Sequence, residues 1–511
     1  MPLLTIAPRR QQVLLILCAL THALATCALA LTRLYSYKAS LLDDGVFSQF
    51  LWNAAHHTTP LFTMAPPKIY TNWLGFHFSP VLYLLLPFYA IWPHLELLQI
   101  TQSLCFGFTG VILFHALQAA GAKAREAWIG SALFWFNPFV VSAAVWDFHE
   151  IAFATLFITI ALWALCAKRF TAFILALILL LFTKEQYGLS VVGFGFLWGW
   201  RHREWKRAMA VMMCGITFMA ALFGLIMPTL GGNHSMMAHS GTVVDRYSWL
   251  GDPWPRKLQV LNFLLFERTH NSPGIVYICV LLMSTLMLPL AAPFYLAPAG
   301  ADLFANLLAT NSMPRSMGAY HSAAMIPVML LAAYQGYRVF EARSPLRKDL
   351  WQFAMMSMGV MISLAGFIIP LCTWEISGIK LSYDRAIIEH IKTLLPEGAI
   401  TAQNNIGPFF AQRPVIYFFP HHTQESAAVI LYLVNPFTSS TQDKSNIVYG
   451  EPASSYFAHV FAIMQDPHWH IAYWQAPWLV MTRDDKVVSQ DIRDDIEAHI
   501  VSLKARSVIN P

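Results

Sequence analysis

The chain has 511 residues, 57% hydrophobic and 12% charged, with a formal net charge of +5. Soluble domains carry about 25% charged residues, so this composition, with a mean hydropathy of +0.50, excludes an ordinary soluble protein and predicts one that crosses a bilayer many times. The basic residues sit in short connections, which leaves nucleic-acid binding without support; no cysteine follows Cys372 and no CxxC pair occurs, which excludes a disulfide framework for the tail and argues against a zinc–thiolate site.

After Arg9 and Arg10 an apolar run reaches about Leu31. Its ALATCALA stretch offers small residues for cleavage, but the run is nearer a full span than a signal h-region and is read as a retained helix. Further spans are expected near 95–118, 126–145, 149–167, 170–183, 187–200, 206–229, 274–292, 296–311, 321–340 and 351–373. The lysine and arginine bias orients them, with Arg9, Arg10, Lys123, Arg125, Lys168, Arg169, the cluster RHREWKR (201–207) and Arg338 to Lys348 on the cytoplasmic side. Phe78 to Trp92 is apolar but short and holds Pro80 and Pro87. If it crossed, every later basic cluster would invert, so it is laid along the outer interface as a juxtamembrane or re-entrant helix. The expectation is eleven spans in a bacterial inner membrane, N-terminus cytoplasmic and C-terminus periplasmic. The hairpin 274–311 is interrupted by Pro289, Pro293 and Pro298, so irregular backbone there would line protein or water rather than lipid.

A transmembrane domain over 1–373 then carries outer loops at 33–94 and 230–273, followed by a soluble tail over 374–511. In the tail a helical stretch with charges on one side (Tyr383 to Leu394) precedes the β-like runs AITAQ, PVIYFF, AAVILYLV and WLVMTR, separated by turn signals at PEG and NNIGP. This predicts a small periplasmic α/β domain. No transporter-type repeat and no Walker A motif occur, which argues against ATP-driven transport.

Ionisable groups near bilayer depth are costly and mark candidate sites. Five clusters qualify, all placed at the outer face. Asp43-Asp44 lies in LLDDGVFSQFLWN, where a carboxylate can act as general base, although DDG also suits a cap or turn. Asn72 and His77 lie in TNWLGFHFSP, and Asp147, His149 and Glu150 in WDFHE. Lys184-Glu185 lies in FTKEQYG, either self-neutralising or offering an ammonium to a lipid phosphate. The last runs from Asp302 and Asn306, one helical turn apart, through Arg315 to Tyr320-His321. Arg315 has no nearby acid in sequence after Asp302, so an anionic ligand is its expected partner.

DDGVFSQFLWN, NWLGFHFSP, WDFHEIAF, LFTKEQYGL and AYHSAAMIP, in this order, resemble a family of predicted bacterial membrane proteins related to the GT-C glycosyltransferases, and NNIGPFFAQRPVIYFFP extends the likeness into the tail. The resemblance implies a GT-C-like helical membrane fold and a polyprenyl-phosphate sugar donor. It implies transfer at the outer face with inversion, and an acid of the first outer loop as base. The family's first acid maps onto Asp43, leaving Asp44 as an alternate or as a substrate or metal contact. Its second acid falls on Ser48, its proline after the FH pair on Glu150, and the acid after KE on Gln186. Lys184, Arg315, Tyr320 and His321 are the phosphate and substrate candidates, with Asn72, His77, Asp147, His149, Glu150 and Glu185 as supporting polar groups. A divalent metal ion could bridge phosphate and Asp44, but no ligand spacing demands one. The sugar and the acceptor stay open. Two other readings remain: a flippase or transporter for lipid-linked substrates, and a non-catalytic relative that only binds polyprenyl lipid.

Overall fold

The computed structural model describes residues 9–64, 71–232, 246–267, 273–343, 384–434, 453–483 and 490–509. The span expected over 351–373, Cys372 and the boundary at 373/374 lie outside them. In chain order the helices are α1 (Arg9–Tyr35), α2 (Val46–Ala55), α3 (Trp73–Phe76), α4 (Leu86–Ile91), α5 (Glu96–Ala119), α6 (Ala124–Trp135), α7 (Pro138–Val145), α8 (Ile151–Cys166), α9 (Phe170–Leu181), α10 (Tyr187–His202), α11 (Trp205–Ala221) and α12 (Met227–Gly231). Then come α13 (Trp254–Phe266), α14 (Gly274–Met283), α15 (Gly300–Leu308), α16 (Ile326–Arg343), α17 (Arg385–Leu394), α18 (Ala453–Gln465) and α19 (Gln490–Ile509). Strands β1 (Leu61–Phe62) and β2 (Thr71–Asn72) form a ribbon, and β3 (Ile400–Ala402), β4 (Ile416–Phe418), β5 (Ala428–Tyr432), β6 (His470–Gln475) and β7 (Trp478–Thr482) form a sheet.

The chain divides into two compact units, one of residues 1–30, 74–84 and 99–379, the other of 31–73, 85–98 and 380–511. In the first, among the described residues, four helical stretches are long and apolar enough to cross a bilayer: Arg9–Tyr35, Glu96–Ala119, Trp205–Gly231 and Tyr320–Ala342. The span expected over 126–145 is two helices, α6 and α7, bent by 48°. The cause is local: Pro138 lacks the N–H that would continue α6, and the Asn137 side chain accepts from Phe139 N at 3.1 Å and so starts α7. The expected spans 149–167, 170–183 and 274–292 contain shorter apolar helices, α8, α9 and α14. After α14, Leu286 and Met287 both take left-handed backbone, and short 3₁₀ turns at Leu288–Ala291 and Pro293–Ala299 carry the prolines up to α15. Polar linkers lie between the apolar helices.

In the second unit the sheet order is β4-β3-β5-β7-β6, with β3 parallel to both β4 and β5 and the rest antiparallel. The four strand-like runs of the tail each supply a strand, and β6 adds a fifth that pairs with β7 as a hairpin. Val429 and Leu431 of β5, with Leu479 and Met481 of β7, pack on Tyr456, Phe457 and Val460 of α18 and on Ile496 and Ile500 of α19. Burying each such side chain contributes about 2 kcal/mol. A parallel β3–β4 pair needs a crossover; it is made by residues 403–415, which include NNIGPFF. This crossover bears directly on the acidic pair.

Candidate functional site

In the helical unit, three linkers from distant parts of the sequence meet. Gln102 of α5 fixes the WDFHE turn, accepting from His149 N at 2.9 Å and donating to Trp146 O at 2.9 Å. The His149 Nδ1 lies 2.9 Å from Asp147 O, and its ring stacks on Tyr320 with centroids 3.4 Å apart; Tyr320 in turn stacks on His321 at 4.1 Å. Glu150, beside them, binds Lys184 at 2.6 Å. The neighbouring Glu185 takes His77 Nδ1 at 3.0 Å on one oxygen and accepts Phe78 N–H at 3.1 Å on the other. The Lys184-Glu185 pair is therefore not self-neutralising: each member has its own partner from another linker.

These partners decide protonation. Burial pushes the Glu150 carboxyl up, but the charges of Lys184 and His149 and the hydrogen bond from Lys184 outweigh it and hold it at about 2. For Glu185, burial is likewise overcome by His77 and Lys184, and the carboxyl lies below its ordinary range. Burial opposes the Lys184 ammonium, yet Glu150, Tyr320 and Glu185 raise it above its usual value. All three groups stay charged at neutral pH.

Gln186, standing where the family's further acid is expected, donates to Asp302 Oδ1 at 2.7 Å. Asn306 is on the same helix, α15, and donates to Tyr277 Oη at 3.2 Å. Arg315 is buried and directs Nη1 to the main-chain oxygens of Asn306 (3.2 Å), Leu307 (3.4 Å) and Ala309, which closes the C-terminus of α15.

In the second unit, Asp43 and Asp44 lie on a single π-helical turn, Leu41–Gly45, just before α2. Such turns recur at functional sites. Ser40 caps it, its Oγ accepting from Leu42 N at 3.1 Å. Asp44 is fully buried and Asp43 partly exposed. The charges of Asp44, then Asp43, act on the buried guanidinium of Arg33 at the end of α1. The turn is fastened to the crossover: Leu41 N–H donates to both Asn404 O (2.9 Å) and Asn404 Oδ1 (3.0 Å), and Ser40 Oγ donates to Asn404 Oδ1 at 3.1 Å. Ser48 is buried on α2, next to Gln49, whose Nε2 donates to Thr63 Oγ1 and Pro414 O, both at 3.0 Å. Asn72 lies in β2 opposite Leu61, so it and His77 belong to different units. Among the described residues no three His, Cys, Asp or Glu side chains gather as a metal site.

Arg33, Gln102, Tyr187, Arg246 and Asn404 escape a sequence reading. Arg33 closes the first apolar run and Gln102 interrupts the next one, and that was the available signal. The charge of Arg246 acts on His321 and Tyr247, a proximity that no spacing reveals.

No curated protein matches the chain. Among solved structures it is similar to ArnT from Cupriavidus metallidurans bound to undecaprenyl phosphate, with 12% identity, a TM-score of 0.52, and 94% of this chain and 100% of that one covered. The apo state of the same protein matches at 13% identity and a TM-score of 0.45, covering 90% and 97%. The first likeness shows that the two proteins share a fold. Residues 33–476 match the family described as predicted membrane protein (DUF2079), and the chain belongs to that family.

Proposed function

We propose that the protein transfers a sugar from a polyprenyl-phosphate carrier to an acceptor at the outer, periplasmic face of the membrane. The observation that carries this reading is the built acidic turn, on a fold whose solved relative is a lipid-bound GT-C protein. Asp43 is the base because it is the more accessible of the two acids, while Asp44 is buried and faces Arg33. In the step, Asp43 takes the proton of the acceptor group as that group attacks the anomeric carbon. The bond from that carbon to the phosphate oxygen breaks, the electron pair leaves with the polyprenyl phosphate, and the anomeric centre inverts. The leaving group is a stable anion, so positioning and charge neutralisation matter more than acid catalysis.

The linker cluster of the helical unit is the place for the donor's head group. Lys184, Tyr320 and His321 line it, and Arg246 adds positive charge beside His321. The test is transfer from radiolabelled polyprenyl-phosphate sugars by the purified full chain and by an Asp43→Asn, Asp44→Asn double variant. A drop of about a hundredfold or more is expected for loss of a general base. A folded double variant with wild-type transfer ends the proposal.

A further inference from the structure

Beside His321 Nδ1, two further buried polar atoms of the linker cluster have no hydrogen-bond partner among the described residues: Tyr187 Oη and Glu150 Oε2. Both side chains are essentially without solvent exposure. Buried polar groups are normally paired, and leaving one unmet costs stability, so two at one place need an explanation. Tyr187 opens α10, two residues beyond Glu185, and the charges acting on its phenol are those of Asp302, Glu150 and Glu185, with Tyr320 beside them.

The surroundings select the chemistry of what would fit. The Lys184 ammonium is already bound to Glu150 Oε1 at 2.6 Å. Glu150 and Glu185 both stay ionised, so a phosphate placed against Glu150 Oε2 would meet like charge. A phenol donates and a carboxylate oxygen accepts. A group that satisfies both must accept one hydrogen bond and donate another, which a hydroxyl does and a phosphate dianion does not.

We infer that Tyr187 and Glu150 bind hydroxyl groups of the sugar carried by the lipid donor, so that this end of the cluster reads the sugar and not the phosphate. The inference rests on the proposed function and narrows it: the sugar has at least one free hydroxyl directed at Tyr187. Completing the two bonds removes the unmet groups only when a glycosylated lipid is bound.

The experiment is native mass spectrometry of the full chain in detergent, with undecaprenyl phosphate and with undecaprenyl phosphates bearing a hexose, a pentose or an N-acetylhexosamine. The wild type should prefer at least one glycosylated lipid. Tyr187→Phe should bind that lipid about tenfold more weakly, the effect of one hydrogen bond, and bind undecaprenyl phosphate as before. Its melting temperature without lipid should be unchanged or higher, because an unmet hydroxyl has been removed. Equal loss for both lipids, unchanged binding of the glycosylated one, or a lower melting temperature with both affinities intact would each overturn the inference; the last would mean that water satisfies the hydroxyl. A wild type that binds all the lipids alike also overturns it and leaves the proposed function standing. A wild type that binds none of them defeats the proposed function instead.

Discussion

In the helical unit, Glu150 and Glu185 are held by charge: each meets a cationic or protonatable partner from another linker, Lys184 at 2.6 Å and His77 at 3.0 Å. In the second unit, the turn bearing Asp43 and Asp44 is tied down by neutral groups, the Ser40 hydroxyl and the Asn404 amide, and the charge of the pair acts on Arg33. The difference matches what each must fix. The Lys184–Glu150 ion pair and the His77–Glu185 contact gather side chains from residues 77, 150 and 184–185. Neutral hydrogen bonds are short and directional, and they set the backbone of one turn.

Removing one charge breaks the comparison most strongly. Lys184→Met leaves Glu150 buried without its counter-charge and should destabilise the helical unit by about 3–5 kcal/mol. Adding Glu150→Leu should recover most of that loss, because an apolar pair of similar volume replaces the ions. Thermal unfolding in detergent micelles checks both. A single variant as stable as wild type would show that the pair is not what holds the linkers together.

The neutral latch should yield less. Asn404→Ala removes the acceptor of Ser40 Oγ and one of the two acceptors of Leu41 N–H, while the main-chain bond to Asn404 O stays. The expected cost is about 1–2 kcal/mol, read as faster hydrogen exchange at Leu41–Gly45. Gly407→Ala probes the same contact sterically, since a Cβ there would lie 2.7 Å from Leu41 Cδ2 and 2.9 Å from Leu41 Cβ. Overpacking of this kind costs about 1–3 kcal/mol. The two variants should loosen the same five residues; exchange that changes elsewhere but not there would remove the latch from the account.

How much of this was legible in sequence follows from the range of each interaction. Apolar runs announce helices because burial depends on composition, and the tail's four strand runs announce themselves by β-branched and aromatic content. The break at Asn137-Pro138 was also written locally, though a hydropathy window runs across it. The pairing of Glu150 with Lys184 was not legible, because WDFHE and FTKEQYG each look complete and neither names its partner. Arg315 misleads for a related reason. An arginine without a nearby acid suggests an anion, but its Nη1 donates to carbonyls at the end of α15, and carbonyls leave no trace in a sequence. Asn404 lies more than 360 positions from Leu41, and the family likeness pointed to its stretch without giving a reason.

The smallest expected effect is on pH, and the Lys184→Met variant uses it to separate the two regions. The folded Glu150 carboxyl titrates at about 2, below its ordinary value of 4.5. A depressed acid contributes stability that is present above the unfolded value and lost as pH falls through the folded one. Lys184 is raised from 10.5, so its share is present below that value and is lost only as pH rises through the higher folded one. Between about pH 5 and pH 10 neither changes charge, and the pair should add no slope to the melting temperature of the helical unit. Below 4.5 the stability should fall as Glu150 takes up its proton. In the Lys184→Met variant the largest opposing charge is gone and burial raises the Glu150 carboxyl against less resistance, so protonation becomes favourable at higher pH and a slope should enter the flat window. Amide exchange of Leu41–Gly45, corrected for the intrinsic pH dependence of exchange, should keep its wild-type protection in that variant. A Lys184→Met profile as flat as wild type would mean that Glu150 finds another counter-charge, and the division between a charge-held and an amide-held region would not stand.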